Sequence, residues 1–225
     1  MVRLVTADAP DIVALQEVPL WGLGLLERWS GMAVRWAITV PAVFVAPLAR
    51  RLQELDPVRF RSQITGQANA LLLNPRFALG EQRLLLLNPG VTKWGWLFGR
   101  GLQQRFCQAL AVEARGVDLL VANLHATNNA RLAEGEVNRA AEFVADAERC
   151  ILCGDFNVRR FAVPDLSPPI DGIDQILARG LELERGPDAW PLERRRVRGA
   201  ILSDHAPVEA VLGYGNGAPL RRQDT

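Results

Sequence analysis

The two histidines of this 225-residue chain each lie in a short polar cluster next to an apolar run. His125 lies in Ala-Asn-Leu-His-Ala-Thr-Asn-Asn, and His205 lies in Ser-Asp-His-Ala-Pro-Val. Two further apolar runs end in carboxylate or amide side chains, one at the Gln-Glu pair of Glu17 and one at the Gly-Asp-Phe-Asn segment that begins at Gly154. Burying polar groups costs free energy unless they meet a partner. We therefore expect these clusters to form one site at one edge of a sheet.

The side chains in and near these clusters are the types that metal-assisted phosphoester hydrolysis requires. Carboxylate oxygens bind a hard divalent cation, a positioned base activates water, donors stabilise charge on the phosphoryl oxygens, and a metal or proton neutralises the leaving oxygen. The candidate residues are Glu17, His125, Asp155, Asn157, Asp174, Asp204 and His205. The sequence has no Gly-x-Ser-x-Gly elbow and no Walker loop that would indicate a different chemistry.

The composition predicts one domain with one substantial core, because 49% of the residues are hydrophobic. The formal net charge of +1 gives no global field that would attract a polyanion. Lys93 is the only lysine, and all other basic residues are arginines. Guanidinium groups suit phosphate recognition, but these arginines are scattered, so a composition bias is the simpler interpretation.

The Cys-x-x-Cys spacing of Cys150 and Cys153 invites a metal or redox interpretation. The two cysteines flank Ile-Leu in a predicted strand, where residues three apart point to opposite faces, and no second pair completes a zinc site. We expect core cysteines instead. The N-terminus has no apolar signal segment, and the apolar stretch over 32–48 is interrupted by Arg35 and two prolines. These features predict a cytoplasmic protein without stable membrane association.

The order of apolar patterns predicts interleaved strands and helices. We predict a buried strand over 11–17, a hairpin from 108–113 and 118–124, a helix over 130–147 and a strand over 150–153. This mixture favours a layered α/β sandwich of mixed sheets over a purely parallel doubly wound fold. We also predict a helix over 46–61 and a polar, arginine-rich region over 182–198. A tryptophan- and glycine-rich stretch over 93–101 is predicted to be a loop. Its aromatic side chains could stack on a base or pack against the body of the protein.

Four motifs in order resemble the signatures of the endonuclease/exonuclease/phosphatase superfamily. They are Leu-Gln-Glu ending at Glu17, Gly-Asp-Phe-Asn over 154–157, Gly-Ile-Asp-Gln-Ile-Leu over 172–177 and Ser-Asp-His-Ala-Pro over 203–207. Each motif alone is weak, but the ordered set is specific and spans 11–212. That superfamily includes DNase I, abasic-site nucleases, inositol polyphosphate 5-phosphatases and sphingomyelinases. The resemblance implies a four-layer α/β/β/α sandwich of two mixed sheets, as in DNase I, with the site at the sheet ends.

The resemblance implies roles for the metal ligands and for the residues that handle water. Glu17 resembles the principal ligand of a Mg²⁺ or Mn²⁺ ion, and Asp204 would support the metal or the neighbouring histidine. Asp155 would orient or deprotonate the attacking water, and Asn157 would hold that water or a phosphoryl oxygen.

The resemblance also implies roles for both histidines. His205 would contact the scissile phosphate, and Asp174 would fix its ring through the far nitrogen. Asp171 is a competing candidate for that role. His125 lies in an Asn-Leu-His motif like that of the DNase I, sphingomyelinase and phosphatase branches, where it faces the leaving group. Abasic-site nucleases usually have a tyrosine there, and the only tyrosine here, Tyr214, lies outside the motifs.

One part of the family pattern is not found in the sequence. Family members usually begin with a strand that carries an asparagine of the site, whereas here Glu17 lies only sixteen residues from the start. We therefore predict an N-terminally incomplete domain over 1–213, followed by a polar tail over 214–225, with one central strand position unfilled. A version extended upstream is expected to be more stable and more active.

We predict a divalent-metal-dependent phosphoester hydrolase that uses in-line attack of water, with a nuclease or phosphodiesterase as the first choice. Arg195 and Arg196, in the single basic cluster, are the candidate substrate-binding residues; a solvated loop is the alternative. A small-molecule or inositol-type phosphatase and a vestigial, non-catalytic binding member remain as alternatives. The expected partner is a phosphoester, which includes nucleic acid, and the oligomeric state stays open.

Overall fold

The computed structural model describes residues 1–42, 47, 48, 50, 51, 66–91 and 103–214. The predicted loop over 93–101, most of the predicted helix over 46–61 and the tail from residue 215 lie outside the described residues. The described helices are α1 (Val2–Val5), a 3₁₀ helix (Leu20–Leu25), α2 (Leu26–Ser30) and α3 (Ala130–Phe143). The described strands are β1 (Ile12–Pro19), β2 (Ala33–Val40), β3 (Gln67–Leu73), β4 (Ala78–Leu86), β5 (Phe106–Ala114), β6 (Val117–His125), β7 (Cys150–Asp155), β8 (Asp174–Arg179), β9 (Glu182–Ala189), β10 (Arg196–Val197), β11 (Ala200–Ile201) and β12 (Val208–Gly213).

Five strands form an unbroken sheet in the order β4-β5-β6-β7-β8, which we call the continuous sheet. The β6–β7 pair is parallel and is connected through α3, and the other ladders of this sheet are antiparallel. Parallel neighbours require such a crossover, because the chain must return to the same end of the sheet before the next strand begins, and a two-residue turn cannot span that distance. The predicted hairpin, helix and strand around His125 are therefore present.

The second sheet layer consists of two separate antiparallel ladders, which together we call the split layer. One ladder has the order β1-β3-β2, and the other pairs β12 with β9. Both pack on the same face of the continuous sheet, because Ile12 of β1 and Leu212 of β12 contact the same buried cluster between the layers. β9 forms within the polar 182–198 region, where most of its residues are exposed.

Three hydrophobic clusters show the four layers that the family resemblance implies. One cluster packs α3 against the outer face of β5, β6 and β7. A second lies between the continuous sheet and the split layer, and a third packs α2 and the 3₁₀ helix against β1, β2 and β3. Cys150 belongs to the outer cluster and Cys153 to the one between the sheets, so the two cysteines point to opposite faces as predicted.

A groove of about 600 Å³ separates β1 from β12. Consecutive residues of both strands line it, 12–16 on one side and 208–212 on the other, so the groove follows the edges of the strands rather than a face. Ile151 and Ile176 of the continuous sheet form part of its floor. Among the described residues, β1 and β12 belong to different ladders, and the N-terminally incomplete domain remains a prediction.

Candidate active site

Three candidate residues lie side by side at one end of the continuous sheet. His125 ends β6 and pairs in register with Asp155 at the end of β7, and Asp155 pairs with Asp174 at the start of β8. Neighbouring strands lie ~4.8 Å apart, so the register alone brings imidazole and two carboxylates together. We call these three residues the site row.

His205 joins the site row from the loop that precedes β12. Its Nδ1 lies 2.9 Å and 3.0 Å from the two carboxylate oxygens of Asp174. This hydrogen bond, opposed by partial burial, raises the pKa of His205 to about 9. The imidazole is therefore protonated at neutral pH. The Asp174–His205 contact is the one that the family resemblance implied, while the catalytic roles of both residues remain predictions.

Asp155 is buried and held by Asn157. The backbone N–H of Asn157 donates to one carboxylate oxygen at 3.0 Å, and its side-chain amide donates to the other at 3.1 Å. Burial and the nearby charge of Asp174 raise the pKa of Asp155 to about 6, although the charges of His205 and Arg105 and the backbone hydrogen bond from Asn157 oppose the shift. Asn157 has a φ of 50°, a left-handed conformation that asparagine tolerates better than most residues.

Gly154 explains why the motif begins with glycine. Its φ is +131°, and a Cβ at this position would lie 2.0 Å from the carbonyl oxygen of Leu124 on the neighbouring strand. Only glycine allows β6 and β7 to approach this closely where they deliver His125 and Asp155.

His125 is buried between a carboxylate and a guanidinium. Its Nε2 lies 3.5 Å from Asp155, and NH1 of Arg105 lies 3.0 Å from its Nδ1. Burial, followed by the charges of Arg105 and His205, lowers the pKa of His125 well below its ordinary value. NH1 of Arg105 also lies 3.2 Å from Nε2, so the guanidinium faces both nitrogens of the ring. Sequence reasoning missed Arg105, which belongs to none of the motifs.

Glu17 lies at a bulge near the end of β1. The register with β3 shifts between Leu15 and Val18, and Glu17 has a φ of 55°. Its side chain is exposed, yet its charge acts on Arg105, which places it near the site row. A strained, exposed carboxylate beside buried charges is typical of a functional position.

Asn123 couples β1 to the continuous sheet. Its fully buried amide donates to the carbonyl oxygens of Leu15 at 3.0 Å and Ala70 at 3.2 Å, and it accepts from Gln16 at 2.7 Å. Gln16 and Asn123, which belong to two of the motifs, thus join the two sheet layers just before Glu17 and His125.

The predicted substrate-binding arginines lie in different surroundings. Arg195 donates to the backbone carbonyls of Ser203 at 3.0 Å and Asp204 at 3.3 Å, so it braces the loop that carries His205. Arg196 is exposed in the short β10–β11 ladder. The Asp204 side chain is exposed, and its charge contributes to the raised pKa of His205. Substrate binding by Arg195 and Arg196 remains a prediction.

One group of side chains in the described part of the chain has the spacing of a metal site. One ligand atom each from Asp155, Asp174 and His205 lies within 4.8 Å of the others. Two carboxylates in this position suit a hard cation, whose positive charge would offset their mutual repulsion. The predicted ligands Glu17 and Asp204 do not belong to this group, and their metal role remains a prediction.

The model of the endonuclease/exonuclease/phosphatase family matches residues 1–205. This chain belongs to that family. A functionally unknown conserved protein from Enterococcus faecalis V583 is 15% identical with a TM-score of 0.68, and the alignment covers 94% of this chain and 88% of that one. A mannosyl-6-phosphatase from Bacteroides thetaiotaomicron is 18% identical with a TM-score of 0.61, covering 94% and 88%.

TDP2 from D. rerio, solved with a single-strand DNA product, is 12% identical with a TM-score of 0.64, covering 94% of this chain and 92% of that one. These likenesses confirm the α/β fold of DNase I type. No curated protein matches the chain. Among the described residues, no helix has the length and apolar character needed to cross a membrane.

Proposed function

We propose that this protein is a divalent-metal-dependent phosphoester hydrolase that acts by in-line attack of water on phosphorus. The observation that carries the proposal is the site row with His205 hydrogen-bonded to Asp174 at one end. Family membership supports the same class of reaction. A phosphodiester, such as a nucleic-acid backbone, is the first candidate substrate.

Asp155 is the group best suited to accept a proton from water. It is a buried carboxylate at the centre of the site row, between His125 and Asp174, where a positioned base can meet the attacking water. Asn157 fixes the direction of the carboxylate through its two hydrogen bonds. The remaining lone pairs of Asp155 are then available for the attacking water.

His205 is the group best suited to meet charge on the phosphoryl oxygens. Its Nδ1–H is held by Asp174, so the protonated ring presents Nε2–H to the site. A preorganised cationic donor of this kind stabilises a transition state in which charge accumulates on oxygen.

The carboxylates of Asp155, Asp174 and Glu17 would hold Mg²⁺ or Mn²⁺ near the site row. When bound, such an ion supplies positive charge to the phosphoryl and leaving oxygens. Because fold alone does not determine the substrate, a small-molecule phosphatase is the second candidate, and a non-catalytic binding protein is the third.

The test is hydrolysis of bis(p-nitrophenyl) phosphate and of p-nitrophenyl phosphate with Mg²⁺, Mn²⁺ or EDTA. We expect metal-dependent release from the diester, and a kcat for Asp155→Asn that is roughly 10²- to 10⁴-fold lower. Asp118→Asn is the matched control, because Asp118 is exposed near the opposite end of β6 and is expected to leave kcat unchanged.

The outcomes separate the three candidates. Faster release from the monoester would favour the phosphatase. Absence of metal-dependent release from either ester by the folded protein would overturn the proposed hydrolysis and favour a binding protein.

A further inference from the structure

The helix α3 buries one charged side chain, that of Glu136, against the continuous sheet. The exposed fraction of Glu136 is 2%, and its neighbours on the buried face of the helix are Ala133, Val137 and Ala140. A carboxylate removed from water costs free energy unless a cation or hydrogen bonds compensate it. No cation of the described residues lies within 4 Å of this carboxylate. Its hydrogen bonds must therefore provide the compensation.

Both carboxylate oxygens of Glu136 bind Thr127, which follows β6. Oε2 accepts from the backbone N–H of Thr127 at 2.6 Å, and Oε1 accepts from its hydroxyl at 2.6 Å. We call this pair of hydrogen bonds the Glu136–Thr127 clamp. Hydrogen bonds to an ionised acceptor are shorter and stronger than those between neutral groups. Because Thr127 is buried and lies two residues after His125, the clamp holds the chain where it leaves the site row.

The clamped N–H belongs to the peptide group between Ala126 and Thr127, and the carbonyl of the same peptide group contacts Asn157. That carbonyl oxygen accepts from Nδ2 of Asn157 at 2.9 Å, and Nδ2 also donates to Asp155 at 3.1 Å. A carbonyl and a carboxylate oxygen can only accept, so these two neighbours determine which way the amide of Asn157 points. A continuous chain of hydrogen bonds, whose members polarise one another, therefore joins Glu136 to Asp155 through one peptide group.

The strand ladder alone does not fix the orientation of this peptide group. The ladder between β6 and β7 continues as far as the backbone N–H of Ala126, which donates to the carbonyl oxygen of Asp155 at 2.8 Å. The next N–H along the chain, that of Thr127, has Glu136 as its acceptor instead of a strand. The clamp therefore sets the plane of the peptide group whose carbonyl holds Asn157.

We propose that Glu136 is a positioning residue: through the peptide group between Ala126 and Thr127 it fixes the side-chain amide of Asn157 and thereby the carboxylate of Asp155. This inference rests on the proposed function for the reaction in which Asp155 takes part. The alternative role for Glu136 is structural, as a tie between α3 and the end of β6 alone.

The first experiment observes Asn157 directly and needs no turnover. The side-chain NH₂ signals of Asn157, assigned with Asn157→Asp, are recorded by NMR in the wild type, Glu136→Ala, Glu136→Gln and Thr127→Val. Glu134→Gln, on the exposed face of α3, is the matched control. We expect Glu136→Ala to shift both proton signals and to speed their exchange with water, and Glu134→Gln to leave them unchanged. Glu136→Gln can still accept from the backbone N–H of Thr127, so it is expected to cause a smaller shift.

The same signals decide whether the clamp acts on Asn157. Wild-type signals in Glu136→Ala would overturn the proposal. If Glu136→Ala does not fold, Thr127→Val takes its place, because it removes only the hydroxyl bond of the clamp, and wild-type signals in both Thr127→Val and Glu136→Gln would then overturn it.

The second experiment separates positioning from structural support by diester hydrolysis, at a temperature well below the Tm of every variant. Glu136→Ala is expected to lower kcat by roughly 10²-fold with little change in KM, because a displacement of about 1 Å at the reacting groups causes such a loss. Glu136→Gln is expected to recover part of kcat. In an Asn157→Ala background, Glu136→Ala is expected to cause little further loss, since it acts through Asn157. A lower Tm with unchanged kcat, or losses that multiply in the double variant, would establish the structural role instead.

The two experiments together separate this inference from the proposed function. Asn157 signals that depend on Glu136 in a folded protein without turnover would refute the hydrolase and keep the clamp as the element that orients Asn157. Metal-dependent turnover with the same kcat in Glu136→Ala and the wild type would keep the hydrolase and refute the positioning role.

Discussion

The continuous sheet and the split layer contribute to the site in different ways. The continuous sheet delivers His125, Asp155 and Asp174 on three hydrogen-bonded strands, so their spacing is fixed by ladder geometry. The split layer delivers Glu17 from one ladder and His205 from just before the other, with the groove between them.

This difference shows which parts of the site are positioned by backbone pairing. The three row residues cannot separate unless ladder hydrogen bonds break. His205 depends on local contacts instead, namely its bond to Asp174 and the brace that Arg195 provides to its loop. Glu17 depends on the buried bridge from Asn123 to Leu15 and Gln16.

Amide hydrogen exchange would reveal the largest contrast between the two layers. β6 and β7 have a hydrogen-bonded strand on both sides. The opening that exposes their amides to exchange is expected to cost nearly the free energy of global unfolding, roughly 5–15 kcal/mol. Amides of β1 and β12 that point into the groove are expected to exchange with little protection, while their neighbours bonded to β3 or β9 are protected. Exchange resolved by NMR checks this pattern, and uniform protection along both groove edges would contradict it.

A glycine substitution in the continuous sheet would have the next largest effect. Gly154→Ala places a Cβ against the Leu124 carbonyl at a φ that L-residues avoid, so we expect a loss of roughly 2–4 kcal/mol of unfolding free energy. Gly135→Ala in α3 is the matched control: its Cβ meets nothing within 4 Å, and alanine is expected to stabilise the helix by roughly 0.5–1 kcal/mol. Urea denaturation measures both, and equal stabilities for the two variants would refute the close approach of β6 and β7.

The pH dependence of stability would give the smallest effect and tests the contact between the layers. The folded-state pKa of His205, about 9, lies above its ordinary value of 6.5. Its stabilising contribution to the free energy of unfolding is therefore fully present below pH 6.5 and is lost as the pH rises through 9. Asp155 also makes the protein less stable as the pH rises, but at lower pH, because its raised pKa of about 6 means that its ionisation opposes folding.

We therefore expect the Tm in EDTA to fall by roughly 2–4 °C between pH 7 and pH 9.5. Asp174→Asn removes the carboxylate that holds the proton on His205, so this variant is expected to show a flatter profile over the same interval. Scanning calorimetry across that range compares the two proteins. Profiles of equal slope would mean that the Asp174–His205 bond does not link the layers in solution.

The sequence alone was enough to predict the secondary structure that carries the chemistry. The apolar runs before Glu17, His125 and Asp155 predicted the strands β1, β6 and β7, which end at Pro19, His125 and Asp155, because apolar periodicity is a local property. The Ser-Asp-His motif likewise placed His205 directly before a strand. β9 was missed, because an exposed strand has no apolar alternation to reveal it.

The family resemblance implied the Asp174–His205 contact, whereas only the tertiary structure decided how the site row is aligned. The register that aligns His125, Asp155 and Asp174 depends on ladders between strands far apart in the chain, which no local pattern specifies. The same holds for Arg105, one of many arginines in the sequence, whose contact with His125 forms only in the folded chain. Residue type determines what a side chain can do, whereas packing determines its neighbours and therefore its charge state.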